Sequence, residues 1–167
     1  ESVSCNNGGT RVGSGSGDKT GKVWNVSTGE VVQTLEGHSG YVSSVSFNHD
    51  GTCVASGSWD KTVKVWNVST GEVVHTLEGH SGYVSSVSFN HDGTRVASGS
   101  GAEAGRVGKV WTGGGAQTRE GHSGEVYAVS FNQDGTRVVR GREEETVEGG
   151  SVSGGGGCTG VVGVGRV

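Results

Sequence analysis

An all-β fold made of repeated four-stranded antiparallel sheets is predicted by three observations on the sequence. Segments recur with a spacing of 42 residues, and residues 71–100 repeat residues 29–58 at 28 of 30 positions. Each unit contains four short runs in which apolar and polar residues alternate, which is the period of a strand. Turn-forming residues separate these runs, and none is long enough or suitably spaced for a helix. Four antiparallel strands in a unit of about 40 residues make one blade of a β-propeller.

The second unit, residues 36–77, is the cleanest copy and defines the expected strands. Its strand-like runs are 41–47, 52–58, 62–67 and 72–77. Both faces of such a blade pack against neighbouring blades, so polar residues need not alternate strictly with apolar ones. We therefore expect four strands joined by tight turns, with side chains buried on both sides of the sheet.

The flanking units are less complete than the second. Residues 1–35 form a partial first blade, 78–119 a third blade, 120–149 a degenerate fourth blade and 150–167 a glycine-rich degenerate tail. In the third blade the expected tryptophan comes three residues late and the Asp-Lys-Thr turn is missing, which predicts a distorted turn and a shortened outer strand. The tail is too poor in apolar residues to fold alone. It either adds one edge strand at 161–164 or stays mobile.

Several features of the units resemble the WD-repeat β-propeller family. They are the Gly-His pair that recurs every 42 residues, the Asp-Gly turn after a strand phenylalanine, and the run Ser-x-Asp-Lys-Thr-Val-Lys-Val-Trp. The family's closing Trp-Asp is Trp-Asn here, and the chain has no proline. The resemblance covers about residues 1–148 and implies a propeller, which usually closes with more blades than about four. A homo-oligomer that completes the ring is therefore expected, unless the chain is part of a larger propeller.

Composition excludes several classes of partner and cofactor. The net charge is −4 and there is no basic stripe, so nucleic acid is not expected as a partner. No apolar run is long enough to span a membrane, and no signal peptide is recognised. Cys5, Cys53 and Cys158 lack paired spacing, so we expect free thiols in the cytoplasm, no metal site and no cofactor. The sequence also contains N-glycosylation sequons at Asn25 and Asn67. Both stand where the family has aspartate, so we interpret them as sequence drift within the repeat.

Residues that suggest chemistry are concentrated in the second blade. It contains a serine, a histidine and an aspartate, which together suggest a hydrolase. The set recurs along the chain, however, which a unique active site does not, and no oxyanion-hole or nucleophile-elbow motif accompanies it. The resemblance implies instead a buried hydrogen-bonded network, so we expect no catalytic residues. Its members are His38, Ser56, Asp60 and Trp66, with Ser14, Asp18 and Trp24 in the first blade and His80, Ser98 and Trp111 in the third.

The resemblance also implies a binding face for a protein or peptide, where the first strands begin and the second strands end. The matching positions are Tyr41, Tyr83 and Glu125 at the strand starts and Trp59 after the second strand. Aromatic residues of this kind often form binding hot spots, although these could instead pack on neighbouring loops. Three functions are open: an interaction scaffold without catalysis, a structural or self-assembling protein without a selected ligand, and a hydrolase.

Two histidines occupy the same turn of adjacent blades. His49 and His91 both follow an asparagine and precede Asp-Gly. The geometry of a propeller predicts a separation well beyond the distance between two ligands of one metal ion. We therefore expect both to be solvated turn residues with no common function.

Overall fold

The structure, a computed structural model, describes residues 2–101, 105–109, 117–119, 125–134, 137–142, 146–151 and 160–163. The described residues form sixteen β-strands and contain no helix. The strands make four antiparallel sheets, and within each sheet the four strands are neighbours in chain order. The all-β class and the four-stranded blades predicted from the sequence are thus confirmed. No helix in this part of the chain meets the length and hydropathy needed to cross a bilayer.

The four sheets divide the chain into successive blades. The first two sheets comprise β1 (Val3–Cys5), β2 (Arg11–Gly15), β3 (Gly21–Asn25) and β4 (Val31–Leu35), then β5 (Val42–Phe47), β6 (Cys53–Ser58), β7 (Val63–Asn67) and β8 (Val73–Leu77). The last two comprise β9 (Val84–Phe89), β10 (Arg95–Ser100), β11 (Gly105–Lys109) and β12 (Gln117–Arg119), then β13 (Val126–Phe131), β14 (Arg137–Arg142), β15 (Thr146–Ser151) and β16 (Gly160–Gly163).

The strand bounds agree closely with the sequence in the second blade and less closely after it. Each of β5–β8 begins one residue later than predicted and ends at the predicted residue. In the third blade β12 has three residues where β4 and β8 have five, which is the shortened outer strand that the sequence predicts. The predicted distorted turn falls at 102–104, outside the described residues. The fourth sheet runs past residue 149, since β15 crosses that position and β16 lies within the predicted tail.

The hydrophobic core lies between the sheets rather than within them. Trp66 and Val54 face the first sheet and pack with Val23 and Leu35. Their chain neighbours Val65 and Ala55 face the other way and pack with the third sheet. Because successive side chains of a strand point to opposite faces, one strand contributes to two interfaces. In the part of the chain that the structure describes, the row of sheets does not close into a ring.

Serine side chains join the innermost strands of consecutive sheets. The hydroxyl of Ser44 accepts a hydrogen bond from the backbone of Val87 at 3.0 Å, and that of Ser86 accepts one from Val129 at 3.2 Å. Ser2 accepts one from Val45 in the same way, at 3.4 Å. Each bond spans 43 residues, so every sheet is attached to the next by the same pair of positions. In the fourth sheet this position is alanine.

A glycine on the second strand permits this close approach. A Cβ on Gly57 would lie 2.6 Å from the side chain of Val84, and one on Gly99 would lie 2.8 Å from that of Val126. These distances are shorter than van der Waals contact, so a larger residue would push the sheets apart. The glycine that recurs at this position therefore sets the spacing between neighbouring sheets. This spacing determines how closely the loops of adjacent blades approach each other.

Candidate functional site

The polar residues predicted in the second blade are joined into one chain of hydrogen bonds. The indole nitrogen of Trp66 donates to the hydroxyl of Ser56 at 2.7 Å. The same hydroxyl lies 2.7 Å from Nε2 of His38, whose Nδ1 lies 2.7 Å from Oδ2 of Asp60. Because the carboxylate can only accept, Nδ1–H donates to Asp60; a neutral imidazole then accepts at Nε2, and the hydroxyl of Ser56 donates to it. The rings of His38 and Trp66 also meet edge to face, with centroids 5.9 Å apart.

Asp60 connects this network to two loops. Its Oδ1 accepts hydrogen bonds from the backbone and hydroxyl of Thr62, at 2.9 and 2.7 Å. Its Oδ2 also accepts one from the backbone of Ser39, at 3.1 Å. Thr62 is not among the residues that the sequence predicts for the network, although Asp-Lys-Thr recurs at 18–20 and 60–62 and could have indicated it. Asp60 therefore links the loop before the first strand of the blade to the turn after its second strand by hydrogen bonds.

The protonation states follow from burial and these contacts. Burial acts to raise the pKa of Asp60, but the hydrogen bonds from Thr62 and His38 outweigh it and lower the pKa to about 2. Burial lowers the pKa of His38, although the hydrogen bond and charge of Asp60 act in the opposite direction. The pKa of His38 lies below its ordinary value of 6.5, so the imidazole is neutral near pH 7 and Nε2 accepts from Ser56. The network thus contains an ionised carboxylate and a neutral histidine.

The order of contacts is that of a hydrolase triad, but the serine is unable to meet a substrate in this conformation. Ser56 is only 1% exposed, and its hydroxyl is held between the indole of Trp66 and the imidazole of His38. A nucleophilic serine needs a free path to the carbonyl that it attacks. The geometry therefore favours a structural role for the set.

The equivalent residues of the other blades form only parts of the network. In the first blade Trp24 donates to Ser14 at 3.0 Å, but Asp18 is exposed and bonds locally to Thr20. The expectation that Asp18 joins a buried network is therefore wrong, because its exposed carboxylate bonds within its own turn. In the third blade His80 Nε2 lies 2.7 Å from the hydroxyl of Ser98. The predicted third member of that blade, Trp111, lies outside the described residues.

The predicted binding residues form a continuous aromatic row across the second and third blades. The ring centroid of Trp59 lies 5.4 Å from that of Tyr41 and 5.3 Å from that of Tyr83. Trp59 is nevertheless 57% exposed. The three rings thus pack on one another, and the indole between the two tyrosines remains more than half exposed. We call these three residues the aromatic row.

A carboxylate lies at the third-blade end of the aromatic row. The hydroxyl of Tyr83 donates to Oε2 of Glu125 at 2.9 Å, and that of Tyr127 donates to the same oxygen. These two hydrogen bonds lower the pKa of Glu125, and the bond from Tyr127 has the larger effect. The carboxylate is therefore ionised at neutral pH. Tyr127 is 46% exposed and was not predicted, because the second and third blades carry a serine at its position.

The two turn histidines are much closer than the sequence analysis predicts. The ring centroids of His49 and His91 are 4.2 Å apart and the rings are inclined by 51°. The expectation of a wide separation is wrong, because the inner strands and the turns that follow them pack directly on those of the next blade. Both residues are exposed. Among the described residues, no three His, Cys, Asp or Glu side chains are arranged to hold one metal ion.

Comparison with known families identifies the repeat. The family described as "WD domain, G-beta repeat" matches residues 29–67, 71–111 and 115–147, which is more than half of the chain. The comparison with curated proteins gives no match. Repeats of this family generally act as scaffolds for protein–protein interaction and are typically not enzymes. The chain, with its four meander sheets and its recurring Gly-His loop, therefore belongs to the WD-repeat family.

Proposed function

We propose that the chain is a non-catalytic scaffold that binds an extended peptide segment of another protein through the aromatic row. The observation that carries this proposal is Trp59, which is 57% exposed between two tyrosine rings. An indole that is supported on both sides offers a large contact area and loses little conformational entropy on binding. Residues of this type supply most of the binding energy at protein interfaces.

The chemistry of the row favours a partner segment that carries arginine or lysine. The π-face of an exposed indole attracts a cation, an interaction of about 0.5–2 kcal/mol. The ionised Glu125 lies next to Tyr83 and adds a negative charge at the end of the row. The guanidinium of arginine satisfies both features, because it stacks on aromatic rings and pairs with carboxylates.

Selection from a phage-displayed library of random peptides on the full chain tests this function. We expect the selected peptides to be enriched in arginine or lysine and to lose binding to the Trp59→Ala variant. Val73→Ala is the matched control, since it removes an exposed apolar side chain from the outer strand of the same blade. Peptides without basic residues, or peptides that bind Trp59→Ala as well as the wild type, would refute the proposal.

Absence of catalysis is part of the same proposal and has its own test. Burial of Ser56 supports it. Hydrolysis of a generic ester such as p-nitrophenyl acetate is expected to be the same for the wild type and for Ser56→Ala. Turnover that disappears in Ser56→Ala while the protein remains folded would instead support the hydrolase hypothesis.

We also propose that a second copy of the chain completes the row of blades. Val3 is 68% exposed, whereas Val45 and Val87 at the equivalent positions of the next blades are 5% exposed. Val87 packs near Gly57, and the repeat places Gly141 at the equivalent position of the fourth blade. The first blade of one copy can therefore meet the fourth blade of another through the same valine and glycine positions, without the serine bond, because residue 128 is alanine. Light scattering should give a dimer, and a monomer that unfolds cooperatively would exclude this arrangement.

A further inference from the structure

The pair formed by His49 and His91 has no part in the network or in the aromatic row. Each histidine belongs to a tight turn between the first and second strands of its blade. The turns are closed by backbone hydrogen bonds from Gly51 to Asn48 and from Gly93 to Asn90. The two imidazoles meet across the boundary between blades, with ring centroids 4.2 Å apart.

Both turns are held rigidly by their own side chains. Asn48 Oδ1 accepts a hydrogen bond from the backbone of Cys53 at 2.9 Å, and Asp50 Oδ1 accepts one from that of Thr52, also at 2.9 Å. The same bonds recur in the third blade, where Asn90 accepts from Arg95 and Asp92 from Thr94. The backbone beneath each imidazole is therefore fixed before any ligand arrives, so little entropy is lost in ordering the pair.

Packing between the blades fixes the position of one turn relative to the other. Gly93 has φ +72°, and a Cβ placed on it would lie 3.6 Å from the side chain of Asn48. The same relation links Gly51, also at φ +72°, to Asn6 of the first blade. Since Gly93 follows His91 by two residues and Asn48 precedes His49, the contact between the turns sets the separation of the two imidazoles.

The separation of the rings is suitable for one metal ion bound by both. With nitrogen–metal bonds of about 2.0–2.1 Å, ring centres of ligands at right angles lie about 4.5 Å apart, against about 5.2 Å for tetrahedral ligands. The observed 4.2 Å is nearer to the right-angle value. Neighbouring right-angle positions belong to the square-planar or octahedral coordination of Cu²⁺ and Ni²⁺, both of which bind imidazole well.

The charges around the pair favour a cation. Asp50 and Asp92 follow the two histidines directly in the chain. Each carboxylate accepts a hydrogen bond from the backbone of the threonine two residues later, at 2.9 Å, and so is held within the turn of its histidine. Each of the two turns therefore carries a carboxylate as well as a histidine, and negative charge near a site favours a divalent cation.

We propose that His49 and His91 together form a site for a divalent late first-row transition metal, bound by two imidazoles in adjacent positions with water as the remaining ligands. The first and fourth blades carry Asn7 and Gln133 at the equivalent positions. The site is therefore confined to the boundary between the second and third blades. It is independent of the peptide-binding function proposed above.

Calorimetric titration of the full chain, without an affinity tag, with Ni²⁺ at neutral pH tests this site. Ni²⁺ is the probe because it binds imidazole without redox reactions at the thiols. His49→Gln, His91→Gln and the double variant are compared with the wild type. Glutamine is a conservative choice because it is already present at this position of the fourth blade. The matched control is His75→Gln, which removes a half-buried imidazole from the outer strand of the second blade.

We expect one Ni²⁺ per chain, with binding weakened about 100-fold in either single variant, because the second imidazole acts as an intramolecular ligand. The double variant should also lose the weak binding that either single variant retains, and His75→Gln should bind as the wild type does. In NMR spectra, Ni²⁺ should broaden the imidazole signals of His49 and His91 together. Equal binding by all variants, or two independent sites that are lost one at a time, would overturn the proposal.

Discussion

The first and second blades share a local turn but differ in what that turn connects. In both, aspartate accepts hydrogen bonds from the threonine two residues later, and the lysine between them has φ 72°. In the second blade the same aspartate also binds His38, and Ser56 and Trp66 are buried. In the first blade Asp18 bonds to Thr20 within its own turn, and Ser14 and Trp24 are only half-buried.

This difference shows which interactions are local and which depend on the loop before the blade. The Asp-x-Thr turn forms wherever its residues occur, because its hydrogen bonds span two positions. The histidine comes from a loop 22 residues earlier and turns a local motif into a contact between distant segments. The comparison predicts that matched substitutions lower the free energy of unfolding more in the second blade than in the first.

Truncation of the strand tryptophan should separate the two blades most clearly. Trp66 is 1% exposed and belongs to the core between the first and second sheets, so Trp66→Ala should cost about 3–5 kcal/mol. Trp24→Ala should cost much less, because Trp24 is half-buried and forms a longer hydrogen bond with its serine. Urea unfolding measures both, and equal losses would mean that the two networks are equivalent.

Removal of the turn aspartate should have the next largest effect. Asp60→Ala leaves the Nδ1–H of the buried His38 with only the distant hydroxyl of Thr62, at 3.5 Å, and a poorly satisfied buried group costs about 1–3 kcal/mol. Asp18→Ala breaks only hydrogen bonds within its own exposed turn, so its cost should be clearly smaller. The midpoint of urea unfolding distinguishes them, and a smaller loss for Asp60→Ala would contradict the role assigned to this residue.

Acid should destabilise the second blade in two stages. Burial lowers the pKa of His38 below its ordinary value of 6.5, so as pH falls the unfolded chain takes up a proton first and folding loses stability. The same sign applies to Asp60, whose pKa falls from 3.8 to about 2 in the fold, so a second loss occurs in that range. Urea unfolding between about pH 7.5 and 5 should show a shallower pH dependence for His38→Gln than for the wild type. Identical slopes would show that His38 takes up protons equally in both states.

Replacement of the exposed tryptophan should have the smallest effect on stability. Trp59→Gly converts this position of the second blade to the glycine present at 17 and 101. Because Trp59 is 57% exposed, we expect the free energy of unfolding to change by no more than about 0.5 kcal/mol. Calorimetric melting checks this, and a larger loss would show that the aromatic row supports the fold as well as offering a surface.

The strands of the second blade could be predicted to within one residue because alternation and turn residues are local signals. The tail was harder, since β16 (Gly160–Gly163) joins the fourth sheet in a segment with few apolar side chains. Backbone hydrogen bonds to β15 hold this strand in the sheet although it has few apolar side chains to bury, because these bonds do not depend on the side chains. A strand that forms only against a neighbour leaves a weak pattern in its own residues.

The contacts within a blade were easier to anticipate than those between blades. The repeat placed His38, Ser56 and Asp60 in one unit, and hydrogen-bonding capacity then limited how they could pair. The approach of His49 to His91 depends on how closely two sheets pack, which the residues of one turn do not reveal without those of its neighbour. Its signal lay elsewhere, in Gly57 and in Ser44, whose recurrence at 42-residue intervals sets the distance between neighbouring sheets.

The serine bonds between the inner strands also bear on how such a chain can change length. At each junction, one face of a blade packs against the opposite face of the next blade. The residues that form these two faces are identical in the second and third units. An in-frame duplication or deletion of 42 residues in that region would therefore create a junction already present in the protein. The near-identity of residues 29–58 and 71–100 is what recent unequal recombination would leave behind.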